Sequence, residues 1–140
     1  MNIVILEDED VRINVFAEKL KDVDATVHYF DDTARAIKYL KNNKVDLLFL
    51  DHDLATKKAL TIINYKIFQN TGYVVAKWLE EHPDKIPECV VLHSLNSVGR
   101  RNMKMAIKDA IDFPGAWEYA KEIVNGLNNF IHKRREKHAK

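Results

Sequence analysis

Four apolar residues, Leu47-Leu48-Phe49-Leu50, run without a break into Asp51-His52-Asp53. A strand that is apolar at every position has both faces covered, and the fold that provides this is a parallel sheet packed between helices. In such sheets the ligand-binding groups leave the carboxyl ends of the strands, so Asp51, His52 and Asp53 fall on the chemically active rim. Asn2-Ile3-Val4-Ile5-Leu6 repeats the pattern and empties into Glu7-Asp8-Glu9-Asp10. With the two strands side by side, at least three carboxylates converge. Like charges that close need a cation between them or a proton on one of them, which points to a divalent metal.

The rest of the chain alternates strands with amphipathic helices, the pattern of an α/β, doubly wound, five-stranded parallel sheet in the order 2-1-3-4-5. Ile13, Phe16, Ala17 and Leu20 recur at helical spacing after the first strand. A second strand is expected over 25–30, rich in β-branched and aromatic residues. Asp31-Asp32-Thr33 offers a cap for a helix with Ala36, Ile37 and Leu40 inward. The third strand is expected over 45–50. Thr71-Gly72 opens a helix with Val75, Ala76 and Leu79 inward, stopped by His82-Pro83. The fourth strand is Cys89-Val90-Val91-Leu92, followed by a helix from Ser97 whose inner stripe reads Met103, Ala106, Ile107, Ala110 and Ile111. The fifth strand is weakly signalled, between 110 and 117, where Pro114 and Gly115 interrupt it. Trp117, Ala120, Val124, Leu127 and Ile131 line the last helix. Residues 54–70 fit neither period and read as a long loop over the carboxyl edge, with room for a short hairpin or helix; loops of that length are functional or mobile.

A length of 140 residues suits one domain spanning 1–140. The net charge of +1 excludes a global bias toward nucleic acid or membranes. No signal peptide or membrane-length run is visible, so a cytoplasmic protein without a membrane partner is expected. Cys89, the single cysteine, is expected to be a small buried residue. The basic tail at 132–140 reads as a solvated helix end favoured by the dipole, with contact to a polyanion as the alternative.

Glu7, Asp8 and Asp51 are the candidate ligands of Mg²⁺ or a similar ion, with Asp53 as a further ligand or a loop cap. Asp51 is also a candidate nucleophile. His52 and His93, each ending a strand, are candidate acid–base groups. Ser94, Asn96 and Arg100 stand at the start of the following helix, where free N–H groups, the dipole and a planar guanidinium suit a phosphate. His28, His82, His132 and His138 lack such company and are expected at the surface or in turns.

These residues together resemble the receiver domains of two-component response regulators. That family has an acidic pair after the first strand (here Glu7-Asp8), a phosphoacceptor aspartate after the third (Asp51), and a Ser or Thr after the fourth (Ser94). It also carries a lysine, usually before proline, after the fifth. This chain departs there: Phe113 precedes Pro114, and the nearest lysine is Lys108, in an expected helix. A narrower resemblance is to the cyclic-phosphate processing receiver domains. It is carried by Asp51-His52-Asp53-Leu54, Thr71-Gly72-Tyr73-Val74-Val75-Ala76, Trp78-Leu79, His93-Ser94-Leu95-Asn96, Gly99 and Asn102-Met103. The resemblance implies metal-dependent phosphoesterase chemistry on a cyclic phosphate, such as a 2′,3′-cyclic RNA end. The expected partner is then a phosphate-bearing small molecule or an RNA end. Two alternatives stand beside it: a phosphorelay-type switch phosphorylated at Asp51, and a non-catalytic module that binds an anion or a protein partner.

Overall fold

The sheet is built outward from its two most apolar strands. β1 (Asn2–Leu6) pairs in parallel with β2 (Thr26–Phe30) on one side and with β3 (Leu47–Leu50) on the other. β3 pairs with β6 (Cys89–Leu92), and β6 with β7, a strand of only two residues, Ile111–Asp112. The order β2-β1-β3-β6-β7 is the doubly wound arrangement expected, with all pairings parallel. The computed structural model describes residues 1–139, and side chains as far as Lys137; the end of the expected basic tail, from His138 on, lies outside the described side chains. Among the described residues no helix is long and apolar enough to cross a membrane.

Alternate residues of each strand feed two cores. Val4, Leu6, Leu48, Leu50, Val90 and Leu92 pack under α2 (Thr33–Asn42), α3 (Gly72–Glu81) and α4 (Ser97–Ala106). Ile3, Ile5, Leu47, Phe49 and Val91 pack against α1 (Asp10–Leu20) and α5 (Ala120–Ala139). The register sets Leu6 beside Leu50, and Leu50 beside Leu92. Backbone bonds then continue the ladder by one residue: Asp51 N–H donates to the Leu6 carbonyl (3.1 Å) and His93 N–H to the Leu50 carbonyl (3.2 Å). Glu7, Asp51 and His93 therefore form one row, on the α1/α5 side of the sheet.

Several boundaries differ from the sequence reading. Ala17 is exposed, because α1 reaches the core through Phe16 and Leu20 alone. α4 ends at Ala106; Ala110 is buried beyond it, but Ile111 is an exposed residue of β7, so the expected helical stripe runs on into the fifth strand. β3 starts at Leu47, although Val45 is buried. Cys89 is half-buried, at the start of its strand. The expected loop over 54–70 contains a hairpin, β4 (Leu60–Ile63) and β5 (Lys66–Gln69), turned by Asn64 and Tyr65, both at positive φ (50° and 64°). Two consecutive left-handed residues give a turn whose twist suits a two-residue hairpin. The hairpin packs beside α2 as a separate two-stranded sheet.

Candidate functional site

Glu7, Asp51 and His93 are buried, and each offers one ligand atom within 4.8 Å of the others'. His93 Nε2 lies 3.1 Å from Glu7 Oε1. The other oxygen of Glu7 accepts the N–H groups of Asp8 (3.0 Å) and Glu9 (3.1 Å). Arg12, on the first turn of α1, sets Nε 2.9 Å from Glu7 Oε1 and Nη2 3.8 Å from Asp51 Oδ2. Its guanidinium lies over the Trp117 ring, 5.1 Å from the centroid. The imidazole of His93 is fully buried, with Phe16, Phe49 and Trp117 ring centroids 5.3, 6.4 and 5.9 Å away.

Burial opposes ionisation of Glu7, but the hydrogen bond from His93, the Glu9 N–H and Arg12 outweigh it and hold its carboxyl below the ordinary value. An ionised Glu7 can only accept, so the proton of His93 sits on Nε2. Burial among aromatic rings depresses the His93 pKa, the Glu7 contact working the other way. The ring is then neutral, and among the described residues its Nδ1 has no protein partner. Asp51 behaves oppositely to Glu7. Burial, then the neighbouring charge of Glu7, push its pKa up to about 7, with Arg12 and the nearby Ser94 hydroxyl acting against the rise. Asp51 Oδ1 accepts the His52 N–H (2.9 Å), while Oδ2 is buried with no hydrogen-bond partner. Asp8 is tied elsewhere: its Oδ2 accepts the Thr56 N–H (2.9 Å), and its Oδ1 is buried without a partner. Burial raises its pKa, moderated by Thr56.

A divalent cation fits this arrangement. Among the described residues two buried carboxylate oxygens, on Asp8 and Asp51, lack any donor, and burial beside the charge of Glu7 keeps Asp51 from ionising. Two buried carboxylates with oxygens within 4.8 Å of each other, beside the neutral His93 ring, form an oxygen donor set that magnesium or manganese accepts.

On the opposite face of β3 the His52 ring is held by a second group. Its Nδ1 is 2.7 Å from Asp53 Oδ1, and Asn96 Nδ2 donates to the same oxygen (3.1 Å). Asn96 also caps α4, its Oδ1 accepting the Gly99 N–H (2.9 Å). Asp53 is thus joined to His52 and Asn96, apart from the row of Glu7, Asp51 and His93. Ser94 is buried, its Oγ accepting the Asn96 N–H (3.1 Å). Arg100 bonds the Ser94 carbonyl (2.8 Å) and Asp112 (2.6 Å), bracing the loop after β6 against β7. His28 lies half-buried with its ring tilted against Tyr39, and His82 stacks on Trp78.

Arg12, Trp117 and Asn70 are the parts that reasoning from sequence missed. A cation in the first turn of a helix opposes the dipole, and that anomaly was the available signal for Arg12. Asn70 is fully buried and bonds Thr33, Asp31, Leu54 and Lys58, closing the 54–70 segment at its base. Nothing in the spacing marks it.

The model of a family described as the cyclic-phosphate processing receiver domain matches residues 4–109. Among curated proteins no match was found. Solved structures similar in fold include the signal receiver domain of a LuxO repressor protein from Vibrio parahaemolyticus (16% identity, TM-score 0.65, covering 96% of this chain and 94% of that one). Another is the response regulator TrrA from Thermotoga maritima in complex with Mg²⁺ and BeF (18% identity, TM-score 0.62, 90% and 97%). A third is the Mn²⁺-bound form of the response regulator Rcp1 (18% identity, TM-score 0.64, 92% of each chain).

Proposed function

Since the chain belongs to the family of cyclic-phosphate processing receiver domains, we propose that it is a divalent-cation-dependent phosphoesterase that opens cyclic phosphates, 2′,3′-cyclic RNA ends being the substrate class. The observation that carries this reading is Asp51 Oδ2, a buried carboxylate oxygen with no donor, beside Glu7 and His93. Glu7, Asp51 and Asp8 are the proposed oxygen donors to the cation. The Mg²⁺ and Mn²⁺ complexes of the similar receivers TrrA and Rcp1 support a divalent ion there. Such an ion supplies Lewis acidity at a phosphate oxygen and a more acidic water.

The chain's own residues divide the remaining work. His52, oriented by Asp53, takes a proton from the attacking water and gives it to the ester oxygen that leaves. The bond from water oxygen to phosphorus forms, one ring P–O bond breaks, and a phosphate monoester results. His93 has no exposed surface, so its proposed part is narrower than direct proton transfer: it holds Glu7 ionised and in place. Ser94 offers its hydroxyl to the phosphate. Asn96 and Arg100, both engaged by protein partners, are proposed to set the Ser94 loop.

The test is incubation of a 2′,3′-cyclic nucleotide with the protein and Mn²⁺ or Mg²⁺. Metal-dependent release of monoester, lost in His52→Ala, supports the reading; no release under any metal removes it. The same orphaned oxygen favours a second reading, in which Asp51 is a phosphoacceptor. A stable acyl phosphate on Asp51 after exposure to a small phosphodonor and Mg²⁺ would decide for that one.

A further inference from the structure

Arg12 is placed against the field of its own helix. It sits in the first turn of α1, where the dipole disfavours a cation, and its side chain is only 23% exposed. Glu7 already receives the Asp8 and Glu9 N–H groups and faces His93 Nε2, so it is supported without a guanidinium. Asp51 is not satisfied by the arginine either: at 3.8 Å, Nη2 lies outside hydrogen-bond reach of the donorless Oδ2. Nε stands 2.9 Å from Glu7 Oε1 as an ion pair without hydrogen-bond geometry, and the Trp117 face sets the plane of the group. Nη2 is left on the side of Asp51. Among the described residues no other arginine or lysine pairs with Glu7 or Asp51. Phe113, whose N–H bonds the Leu92 carbonyl (3.0 Å), extends the same row of the sheet and brings no charge.

We propose that Arg12 is the phosphate-binding cation of this site, its guanidinium meeting an oxygen of a phosphate group that lies against Asp51. The inference rests on the reading above that a phosphate is handled at Asp51, and it supplies the positive group that Phe113 does not. A guanidinium ion-paired to Glu7 and set against an aromatic face presents its N–H groups as a preorganised fork, suited to two phosphate oxygens. The same charge stands 2.9 Å from Glu7 and 3.8 Å from Asp51, so Arg12 partly neutralises the carboxylates that a metal would use. Its removal therefore has opposite effects on anion and cation.

The experiment measures, by calorimetry, the binding of Mn²⁺ alone and of inorganic phosphate in saturating Mn²⁺. It compares the wild type with Arg12→Ala, Arg12→Lys and Arg12→Gln; the last keeps a donor for Glu7 and guards against a folding failure. The expected result is a loss of about tenfold or more in phosphate affinity for Ala and Gln, with Mn²⁺ affinity equal or higher. Lys, which keeps the charge and loses the fork, falls between. Phosphate affinity within about twofold of wild type in the Gln variant overturns the proposal, as does a parallel fall of Mn²⁺ and phosphate binding. No binding of phosphate by the wild type overturns it as well. Phosphate held through Arg12 without cyclic-ester turnover sinks the esterase and leaves Arg12 standing. Unchanged turnover in Arg12→Gln does the reverse.

Discussion

Gly99 lies flat against the His52 ring, so close that a β-carbon on it would stand 2.4 Å from His52 Cγ. The Asn96 side chain receives the Gly99 N–H and donates to Asp53, which in turn binds His52 Nδ1. One helix N-terminus thus fixes both the face and the edge of the imidazole. Gly99→Ala must displace the ring, at a stability cost of about 1–3 kcal/mol. If His52 moves the proton, turnover falls about a hundredfold, within the range attributed to general acid–base groups, while Mn²⁺ binding is unaltered. Steady-state rates beside a metal titration check this; full activity in the variant would show that the orientation of His52 is immaterial.

The high pKa of Asp51 makes the metal-free protein pH-sensitive. Well below the ordinary value of 3.8 the group is protonated whether the chain is folded or not. Between the ordinary 3.8 and about 7 the folded chain keeps a proton that the unfolded chain has lost, so stability declines as pH rises through this window and levels off above it. The span amounts to about 4 kcal/mol. Asp51→Asn removes that penalty. The variant is expected to be more stable than the parent at pH 8 in EDTA, and equal to it near pH 4. Urea unfolding across the range measures it, and identical pH slopes for the two proteins would refute the account.

The same proton competes with the cation. Below pH 7 a bound Mn²⁺ must displace it from Asp51, so apparent affinity should rise about tenfold per pH unit and flatten above 7. In Asp51→Asn the dependence over pH 6–7 disappears along with much of the binding. A fluorescence or calorimetric titration at four pH values suffices. An affinity that is flat from pH 5.5 to 7 would mean that Asp51 is not a ligand.

What could be read from the chain follows the strength of the physical signal. The buried strands announce themselves, because a residue covered on both sheet faces must be apolar, and Leu47 to Leu50 meet that demand at every position. Once those strands are neighbours in register, the residues that follow them are brought into a row, so the meeting of Glu7, Asp51 and His93 was legible before any coordinates. Their electrostatic sorting was not. Which carboxylate ionises depends on how burial is offset: Glu7 has His93, the Glu9 N–H and Arg12 against it, whereas Asp51 is buried beside the charge of Glu7. Arg12 escaped because a helical arginine reads as solvated surface unless its neighbours across the fold are known. The hairpin was legible only as one option for 54–70, beside a helix. In β4 the polar Thr61 is buried between exposed Leu60 and Ile62, and β5 is exposed throughout, so the apolar pattern of the chain does not follow the burial there.

Asn70 offers the sharpest test of how the 54–70 segment serves the site. Its Oδ1 accepts the Thr33 N–H (2.9 Å), and its Nδ2 lies within 2.8–3.1 Å of the Asp31, Lys58 and Leu54 carbonyls. The segment it closes delivers the Thr56 N–H to Asp8 and Lys58 to Asp32. Asn70→Ala leaves a buried N–H and several carbonyls unpaired, costing about 3 kcal/mol or more. Because the side chain pins a loop rather than the central strands, the loss is expected chiefly as local opening. Amide exchange at Thr56 and Thr33 should accelerate well before that of Leu48 or Val91, and Mn²⁺ affinity should drop as Asp8 loses its partner. Asn70→Asp keeps the acceptor for Thr33 but not the donors, so it should protect the Thr33 amide while leaving Thr56 fast. Uniform acceleration of all four amides in Asn70→Ala would instead make the residue part of the global core, and the segment no more than a passive connection.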